Sequence, residues 1–179
     1  MYFSNCLEQD CRELFLYIDA LPLFTTQNRA KYNSGKRPIS NVYGTTPFSK
    51  ISNGSGVCGF KEKNPDGDGY FTKLRSLYPE FMDIFKEFVL LHGDNFQFNQ
   101  VVINKDFKIT RHLDASNVGE SIIIGLGEYL GGNLVVEFEN EKKKINIKNN
   151  FYKFNGSKYY HYVEQFEGNR YSLVFYNKF

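Results

Sequence analysis

The chain has 179 residues, a formal net charge of +2, 41% hydrophobic residues and 23% charged residues. This length and composition predict one soluble globular domain that needs neither a disulfide nor a structural metal in order to fold. No apolar run approaches the roughly 18 residues of a membrane-spanning helix. The first residues have neither the basic nor the apolar region of a signal peptide. The aromatic content of 17% argues against a disordered chain, and we expect neither a signal peptide nor a membrane partner.

The cysteines indicate a reducing compartment. Cys6, Cys11 and Cys58 form no Cys-x-x-Cys pair, and their odd number is unsuited to a disulfide framework. We therefore expect an intracellular protein, either cytoplasmic or nuclear. Asn, Lys, Phe, Tyr and Ile are abundant and have AT-rich codons, which is compatible with a virus-encoded protein.

Two helices are predicted in the first half of the chain. Residues 4–21 carry apolar side chains at helical spacing, with Ser4 as the expected N-cap. The second helix is expected to start near Pro79, because proline suits the first helical position, and to end before Gly93.

The segment between these helices is basic. Residues 25–63 contain seven basic side chains and only one acidic side chain, Glu62, so the segment carries a net charge of +6. Its high content of Asn, Ser, Gly and Thr predicts long loops, and loops of such length are usually functional or disordered. The basic residues are Arg29, Lys31, Lys36, Arg37, Lys50, Lys61 and Lys63.

From residue 96 onward the pattern changes to short strands separated by turn residues, which predicts an antiparallel sandwich or barrel of about eight strands. We therefore expect one domain over residues 1–179, mainly β. Residues 1–95 would form a helical cover with basic loops, and residues 96–179 would form the β core. The eight predicted strands are 96–104, 107–112, 121–127, 133–138, 144–148, 151–154, 159–163 and 169–176.

The triplet His112-Leu113-Asp114 is a candidate metal motif. Side chains two residues apart in an extended segment point to the same side, so an imidazole and a carboxylate can converge on one ion. His161, on a later strand, could supply a third ligand, and two histidines with one carboxylate form the facial triad of non-haem Fe(II) oxygenases. The alternative is a surface turn with a His–Asp hydrogen bond.

The last strand is predicted to carry a buried cation. Tyr171, Leu173 and Phe175 give it one apolar face, which directs Arg170 and Ser172 to the opposite face. A buried guanidinium requires an anion, and a carboxylate matches its fork-like geometry. The alternative is a structural ion pair with Glu164 or Glu167.

Together, the His-x-Asp triplet, the distal histidine and Arg-x-Ser nine residues later resemble the 2-oxoglutarate/Fe(II)-dependent dioxygenases, whose fold is a double-stranded β-helix, or jelly roll. The stretch 112–117, with its His-x-Asp-x-x-Asn pattern, resembles the nucleobase oxygenases of the ten-eleven-translocation and base-J-binding-protein (TET/JBP) branch. Segments 125–127, 131–134 and 170–176 share this likeness, which extends from Phe98 to Tyr176. Three cysteines cannot build the cysteine-rich zinc region of the animal enzymes.

The resemblance implies an oxidoreductase with Fe(II), 2-oxoglutarate and O2 as cofactors. By position, it implies His112, Asp114 and His161 as catalytic iron ligands. It implies Arg170 and Ser172 as contacts of the distal 2-oxoglutarate carboxylate. Asn99 and Asn104, on the strand before the triplet, are further candidate co-substrate contacts, and Asn117 corresponds to the residue that contacts the target base.

The expected substrate is a nucleobase, of the 5-methylpyrimidine type, within a nucleic acid. The basic segment would supply phosphate contacts, in particular from Arg29, Lys31, Lys36 and Arg37. Tyr32, Tyr43, Phe48 and Phe60 could stack on an extruded base. The alternatives are hydroxylation of a protein side chain or small metabolite and, outside enzymes, a β-sandwich binding module without metal. The sequence does not predict an oligomeric state.

Overall fold

The computed structural model describes residues 3–47, 60–65, 67 and 69–178. Its helices are α1 (Leu7–Asp19), a 3₁₀ helix (Gln27–Tyr32), α2 (Lys73–Leu77) and α3 (Phe81–His92). Its strands are β1 (Ile39–Pro47), β2 (Phe60–Lys63), β3 (Gly69–Thr72), β4 (Gln100–Lys105), β5 (Val118–Leu126), β6 (Tyr129–Gly131), β7 (Leu134–Glu137), β8 (Lys142–Ile145), β9 (Tyr152–Phe154), β10 (Tyr160–Val163), β11 (Phe166–Gly168) and β12 (Tyr171–Asn177). None of the described helices is long and apolar enough to cross a membrane.

The strands form a large sheet, a small sheet and a two-stranded ribbon, and all their pairings are antiparallel. The large sheet has the order β2-β3-β1-β4-β12-β5-β9, and the small sheet has the order β10-β7-β8. The ribbon joins β6 to β11. The inner faces of the two sheets pack around Ile123, Leu134, Val136 and Phe154, so that the sheets enclose an interior as in a jelly roll.

The other face of the large sheet is covered by helices. Alternating side chains of β4 and β12, such as Ile103, Leu173 and Phe175, belong to a buried core that also contains Phe85 of α3 and Leu14 of α1. This arrangement confirms the predicted helical cover. It also explains why every second residue of β12 is apolar, since period-two alternation sends those residues to one face.

Both predicted helices are present, with one difference in capping. Helix α1 begins at Leu7 with Cys6 as its N-cap, so the prediction of Ser4 as N-cap is wrong. The Ser4 hydroxyl instead donates a 2.8 Å hydrogen bond to the buried Asp10 carboxylate. Helix α3 ends at His92 and is followed by Gly93, as predicted.

The prediction of long loops over residues 25–63 is wrong in part, because β1 and β2 lie in this segment. Strand β1 pairs with β4 over six consecutive residues and extends the large sheet. Tertiary pairing with a buried strand here overrides the weak β-propensity of Ser, Asn and Gly. Conversely, residues 107–112 form no strand, and His112 makes an isolated bridge to His161. Three short strands, β3, β6 and β11, were not predicted, and neither were the 3₁₀ helix and α2.

Candidate metal centre

The three predicted metal ligands meet in the interior between the sheets. His112 Nε2 lies 3.5 Å from Asp114 Oδ1, and His161 Nε2 lies 3.5 Å from Asp114 Oδ2. An ion about 2.0–2.2 Å from each ligand atom, the range of N and O ligands, can span both separations. His112 and His161 are buried, and Asp114 is half-buried. Among the described residues, this is the group of His, Cys, Asp and Glu side chains that could hold a metal ion.

Backbone pairing brings the histidines together. His112 and His161 form an isolated antiparallel bridge with two hydrogen bonds of 3.0 Å between their backbones. Their Nδ1 atoms lie 2.8 Å from the carbonyl of Thr110 and 3.0 Å from that of Tyr159, respectively. A carbonyl only accepts hydrogen bonds, so each Nδ1 must carry the proton, and each Nε2 lone pair remains free for a metal.

Asp114 is held by the loop that follows the bridge. Its backbone N–H donates a 2.9 Å hydrogen bond to the Gly156 carbonyl. A Cβ at Gly156 would lie 3.1 Å from Asp114 Oδ2, so the glycine leaves room for the carboxylate. Burial raises the pKa of Asp114, but while protons occupy the Nε2 atoms of His112 and His161 their hydrogen bonds and charges outweigh this effect and hold the pKa below its usual range. A bound metal ion would take the place of those protons. The carboxylate is therefore ionised, as a metal ligand must be.

The ligands open onto one pocket between the sheets. Its walls are mainly apolar, from Val102, Ile123, Leu134 and Phe154, and its few polar groups are concentrated around the triad and on β4 and β12. A mostly apolar cleft with a few convergent polar groups is typical of a small-molecule site. The polar and charged residues lining it are Arg29, Asn104, His112, Asp114, Asn117, His161, Ser172 and Tyr176.

Arg170 directly precedes β12 and lies two residues before Ser172, but unlike Ser172 it does not line the pocket. It is only 1% exposed, and its Nη2 donates one hydrogen bond of 3.2 Å to the Gly132 carbonyl. Its Nε has no partner, and no carboxylate among the described residues forms an ion pair with it. Glu164 instead pairs with Lys144, at 2.7 Å. Among the described residues neither Glu164 nor Glu167 forms an ion pair with Arg170, so the structural alternative is not observed. Burial lowers the pKa of Arg170, although Tyr129 and Asp106, whose Oδ1 accepts from the Arg170 backbone N–H, act in the opposite direction.

Tyr129 is a candidate site residue that the sequence analysis missed. Its ring lies beside Arg170, with 5.4 Å between the guanidinium carbon and the ring centroid. Its buried hydroxyl has no hydrogen-bond partner, and it occupies the space that a Cβ would take at Gly125. Arg170 Nε and Tyr129 Oη are thus both buried without a hydrogen-bond partner, on two side chains that are in contact. The signal in the sequence was weak: a lone Tyr after a Gly-x-Gly strand end.

The predicted asparagine contacts separate into two groups. Asn104 lines the pocket and donates a 3.2 Å hydrogen bond to Ser172 Oγ. Asn117 also lines the pocket, and its backbone N–H donates a 2.9 Å hydrogen bond to the Asp114 carbonyl. Asn99 does not line the pocket, because its amide exchanges hydrogen bonds with the backbone of Lys178. The structure therefore gives Asn99 a structural contact instead.

The structure brings one of the four predicted basic residues into the pocket. Arg29 lines it from the 3₁₀ helix. The chain before this helix is fixed to β1, because the Asn41 side chain bonds both backbone groups of Phe24 and the Thr26 hydroxyl donates to the Ser40 carbonyl. Lys31, Lys36 and Arg37 are exposed and do not line the pocket.

The predicted stacking aromatics also separate. Tyr32 lies next to the metal centre, with its ring centroid 5.1 Å from that of His112. Tyr43 is fully buried in the core against Phe85, so its proposed stacking role is wrong. Phe48 lies outside the described residues, as does the side chain of Phe60.

Solved structures share this fold. The chain is similar to a 2OG-Fe(II) oxygenase family oxidoreductase from Burkholderia pseudomallei, with 17% identity, a TM-score of 0.58, and coverage of 92% of this chain and 76% of the other. It is similar to a Pseudomonas putida prolyl-4-hydroxylase, with 14% identity, a TM-score of 0.52, and coverage of 96% and 88%. It is also similar to NgTET1 in complex with 5mC DNA, with 15% identity, a TM-score of 0.54, and coverage of 93% and 68%.

These likenesses confirm the predicted double-stranded β-helix. No family model and no curated protein matches the sequence. The function therefore has to be argued from the site.

Proposed function

We propose that this protein is an Fe(II)- and 2-oxoglutarate-dependent dioxygenase. The observation that carries the proposal is the interior convergence of His112, Asp114 and His161, with both Nε2 atoms free to bind a metal. Two histidines and one carboxylate on one side of an ion leave the opposite positions open, which suits non-haem Fe(II). Iron, 2-oxoglutarate and O2 together supply oxidative decarboxylation coupled to hydroxylation of a substrate C–H bond.

The co-substrate site is proposed along β12. 2-Oxoglutarate has a carboxylate at each end, and its distal carboxylate needs a cation and hydroxyl donors inside the protein. Arg170 Nε and Tyr129 Oη are buried without partners, and Ser172, two residues after Arg170, lines the pocket that contains the metal ligands. A carboxylate there would satisfy donors that otherwise remain unpaired in an apolar interior, where unpaired polar groups are costly. The residues present therefore fit this co-substrate.

For the substrate, we propose a nucleobase in nucleic acid. Arg29 provides a cation in the pocket wall, and the ring of Tyr32 lies beside His112. Asn117 lines the pocket directly after the metal ligand Asp114. Its amide can both donate to and accept from a base edge. The exposed Lys31, Lys36 and Arg37 would contribute phosphate contacts outside the pocket. The fold neighbour NgTET1, which was solved with 5mC DNA, agrees with this substrate class.

Hydroxylation of a protein side chain is the second candidate, because the prolyl-4-hydroxylase from Pseudomonas putida has the same fold at similar overall likeness. The two substrate classes differ in whether they should depend on Arg29 of the pocket. A neutral peptide substrate would not require Arg29, whereas a nucleotide substrate would use its charge near a phosphate.

The test is 2-oxoglutarate turnover with Fe(II), measured as succinate formation, in the presence of methylated and unmodified oligonucleotides, free nucleosides and proline-containing peptides. Coupled turnover with a 5-methylpyrimidine oligonucleotide is expected, with mass spectrometry showing one added oxygen. Coupling only to peptides would overturn the nucleobase proposal, and absence of 2-oxoglutarate-dependent turnover with every substrate class would overturn the dioxygenase proposal.

Oligonucleotide binding at low and high salt sharpens this test. If cations of residues 25–63 contact phosphates, affinity should fall steeply as salt rises, because each neutralised phosphate releases counterions. Arg29→Gln and Lys36→Gln form a matched pair that removes one charge inside and one outside the pocket. Arg29→Gln should lower both affinity and coupled turnover, whereas Lys36→Gln should lower affinity alone.

A further inference from the structure

A hydrogen-bonded row crosses the floor of the pocket on three neighbouring strands. Ser40 of β1 pairs in register with Asn104 of β4, which pairs with Ser172 of β12. The Ser40 hydroxyl lies 2.6 Å from Asn104 Oδ1, and Asn104 Nδ2 lies 3.2 Å from Ser172 Oγ. All three residues are buried, at 8% exposure or less. Gly125 of β5 follows Ser172 in the same row, and its missing side chain makes room for the Tyr129 hydroxyl.

The two distances indicate which group donates and which accepts in each hydrogen bond of the row. A separation of 2.6 Å is typical of O–H···O and short for N–H···O, whereas 3.2 Å is within the N–H···O range and long for O–H···O. Ser40 therefore donates to the amide oxygen, and the amide nitrogen donates to Ser172. In the described part of the chain, the Ser172 hydroxyl accepts this bond and donates none. Its proton remains available to the pocket.

We propose that Ser40, which does not line the pocket, is a positioning residue. Through the Asn104 amide, it determines whether the Ser172 hydroxyl donates or accepts a hydrogen bond in the pocket. The inference rests on the proposed 2-oxoglutarate site. A reversed amide could still donate to Ser40 Oγ, but the Ser40 proton would then lose Oδ1, its acceptor in the described part of the chain. Ser40 therefore favours the orientation in which Nδ2 faces Ser172, and Ser172 donates to the co-substrate carboxylate beside Arg170. Without Ser40, the amide can reverse. Ser172 then donates to Asn104 and offers only lone pairs to the anion.

The opposite orientation would disfavour an anion directly. A carboxylate accepts hydrogen bonds and cannot donate them when ionised. A Ser172 hydroxyl that donates its proton to Asn104 presents only its oxygen lone pairs to the carboxylate, and two acceptors repel each other. The row thus selects an acceptor ligand at this end of the pocket, although its outermost member contacts neither ligand nor metal.

The experiment measures 2-oxoglutarate binding by calorimetry, on protein loaded with Mn(II) in place of iron so that no turnover occurs. Ser40→Ala should weaken 2-oxoglutarate binding about 3- to 10-fold, the equivalent of one ordinary hydrogen bond. Mn(II) affinity should not change. Ser40→Thr keeps the hydroxyl and should restore the affinity. Ser121→Ala is the matched control, because it removes a buried, unpartnered hydroxyl from the same sheet and should leave binding unchanged.

A double-mutant cycle separates this role from a merely structural one. Because Ser40 acts through Asn104, Ser40→Ala should have no further effect on 2-oxoglutarate affinity in an Asn104→Ala background. Wild-type affinity in Ser40→Ala, or an equal loss in both backgrounds, would overturn the inference while leaving the dioxygenase proposal intact. If wild-type Mn(II)-loaded protein binds no 2-oxoglutarate, the proposed co-substrate site itself is wrong.

Discussion

The two faces of the large sheet are built from the same strands but differ in kind. On the helix side, Val101, Ile103, Leu173 and Phe175 are fully buried in a continuous apolar core. On the interior side, the alternate residues of the same strands include Asn104 and Ser172, which line a pocket next to the metal ligands. Buried polar atoms without partners, Arg170 Nε and Tyr129 Oη, lie on the interior side.

This difference indicates where stability and function reside. Burial of an apolar face stabilises the fold because it removes hydrocarbon from water, whereas a buried guanidinium without an anion lowers stability. The helix side therefore holds the fold, and the interior side carries groups that only a ligand can satisfy. Substitutions on the two faces should affect different measurements.

The largest effect is expected at the metal ligands. Asp114→Ala removes the carboxylate that both histidines face, and Fe(II) or Mn(II) affinity should fall by more than the roughly 10- to 100-fold that follows from losing a group that merely orients a ligand. The far-ultraviolet circular dichroism spectrum of the metal-free variant should match that of the wild type, because the helix-side core is untouched. Asp83→Ala is a control at an exposed aspartate of α3. Unchanged metal affinity in Asp114→Ala would contradict the assignment.

The next effect belongs to the opposite face. Phe85 of α3 is fully buried against the rings of Tyr43 and Phe175. Phe85→Ala should lower the free energy of unfolding by about 3–5 kcal/mol, through lost transfer energy and the cavity left behind. Denaturant titration measures this loss. At temperatures where the variant remains folded, its metal affinity should match that of the wild type, and a parallel loss of both would show that the two faces are not separable.

A substitution of Arg170 tests whether a residue of the interior face affects ligand binding without supporting stability. Arg170→Met removes the charge and keeps much of the volume, so 2-oxoglutarate affinity should fall by about 2–5 kcal/mol, or roughly 30- to several-thousand-fold. In the ligand-free protein the same change should leave stability equal or higher, since replacement of a buried charge by an apolar side chain is often stabilising. Calorimetry and thermal unfolding on one sample check both parts. A clear destabilisation with unchanged co-substrate affinity would make Arg170 a structural residue.

The sequence alone predicted the two faces of β12 but missed β1 and Tyr129. Alternation along β12 placed Tyr171, Leu173 and Phe175 opposite Arg170 and Ser172, because strand periodicity is local. His161 was proposed as the third ligand from its place on a later predicted strand, and the spacing to Arg170 entered with the family resemblance. Strand β1 was missed, because its pairing with β4 depends on residues about 60 positions away and its Ser, Asn and Gly content is typical of loops. Tyr129 was missed for the same reason, since only the tertiary fold places its hydroxyl over Gly125.

The smallest effect concerns a polar group on the helix side. Asp10 is fully buried and accepts hydrogen bonds from the Ser4 backbone and hydroxyl, at 2.7 and 2.8 Å, and its Oδ2 lies 2.8 Å from His92 Nε2. Burial raises the pKa of Asp10, but these hydrogen bonds and the His92 charge outweigh it, so the pKa lies below its ordinary value. A carboxyl with a lowered folded-state pKa stabilises the fold above its unfolded-state pKa of about 3.9.

That stabilisation should disappear as the pH falls from about 4 through the lowered pKa of Asp10, because the proton then binds the unfolded chain more tightly than the folded one. Asp10→Asn should cost about 1–3 kcal/mol at neutral pH and should flatten this part of the curve of unfolding free energy against pH. Ser4→Ala keeps the backbone donor and should produce a smaller loss of the same sign. Metal and 2-oxoglutarate affinities at neutral pH should be unchanged in both variants, since Asp10 lies on the face that holds the fold rather than on the face that binds. If the curves of wild type and Asp10→Asn have the same shape at low pH, other carboxyl groups cause the acid sensitivity.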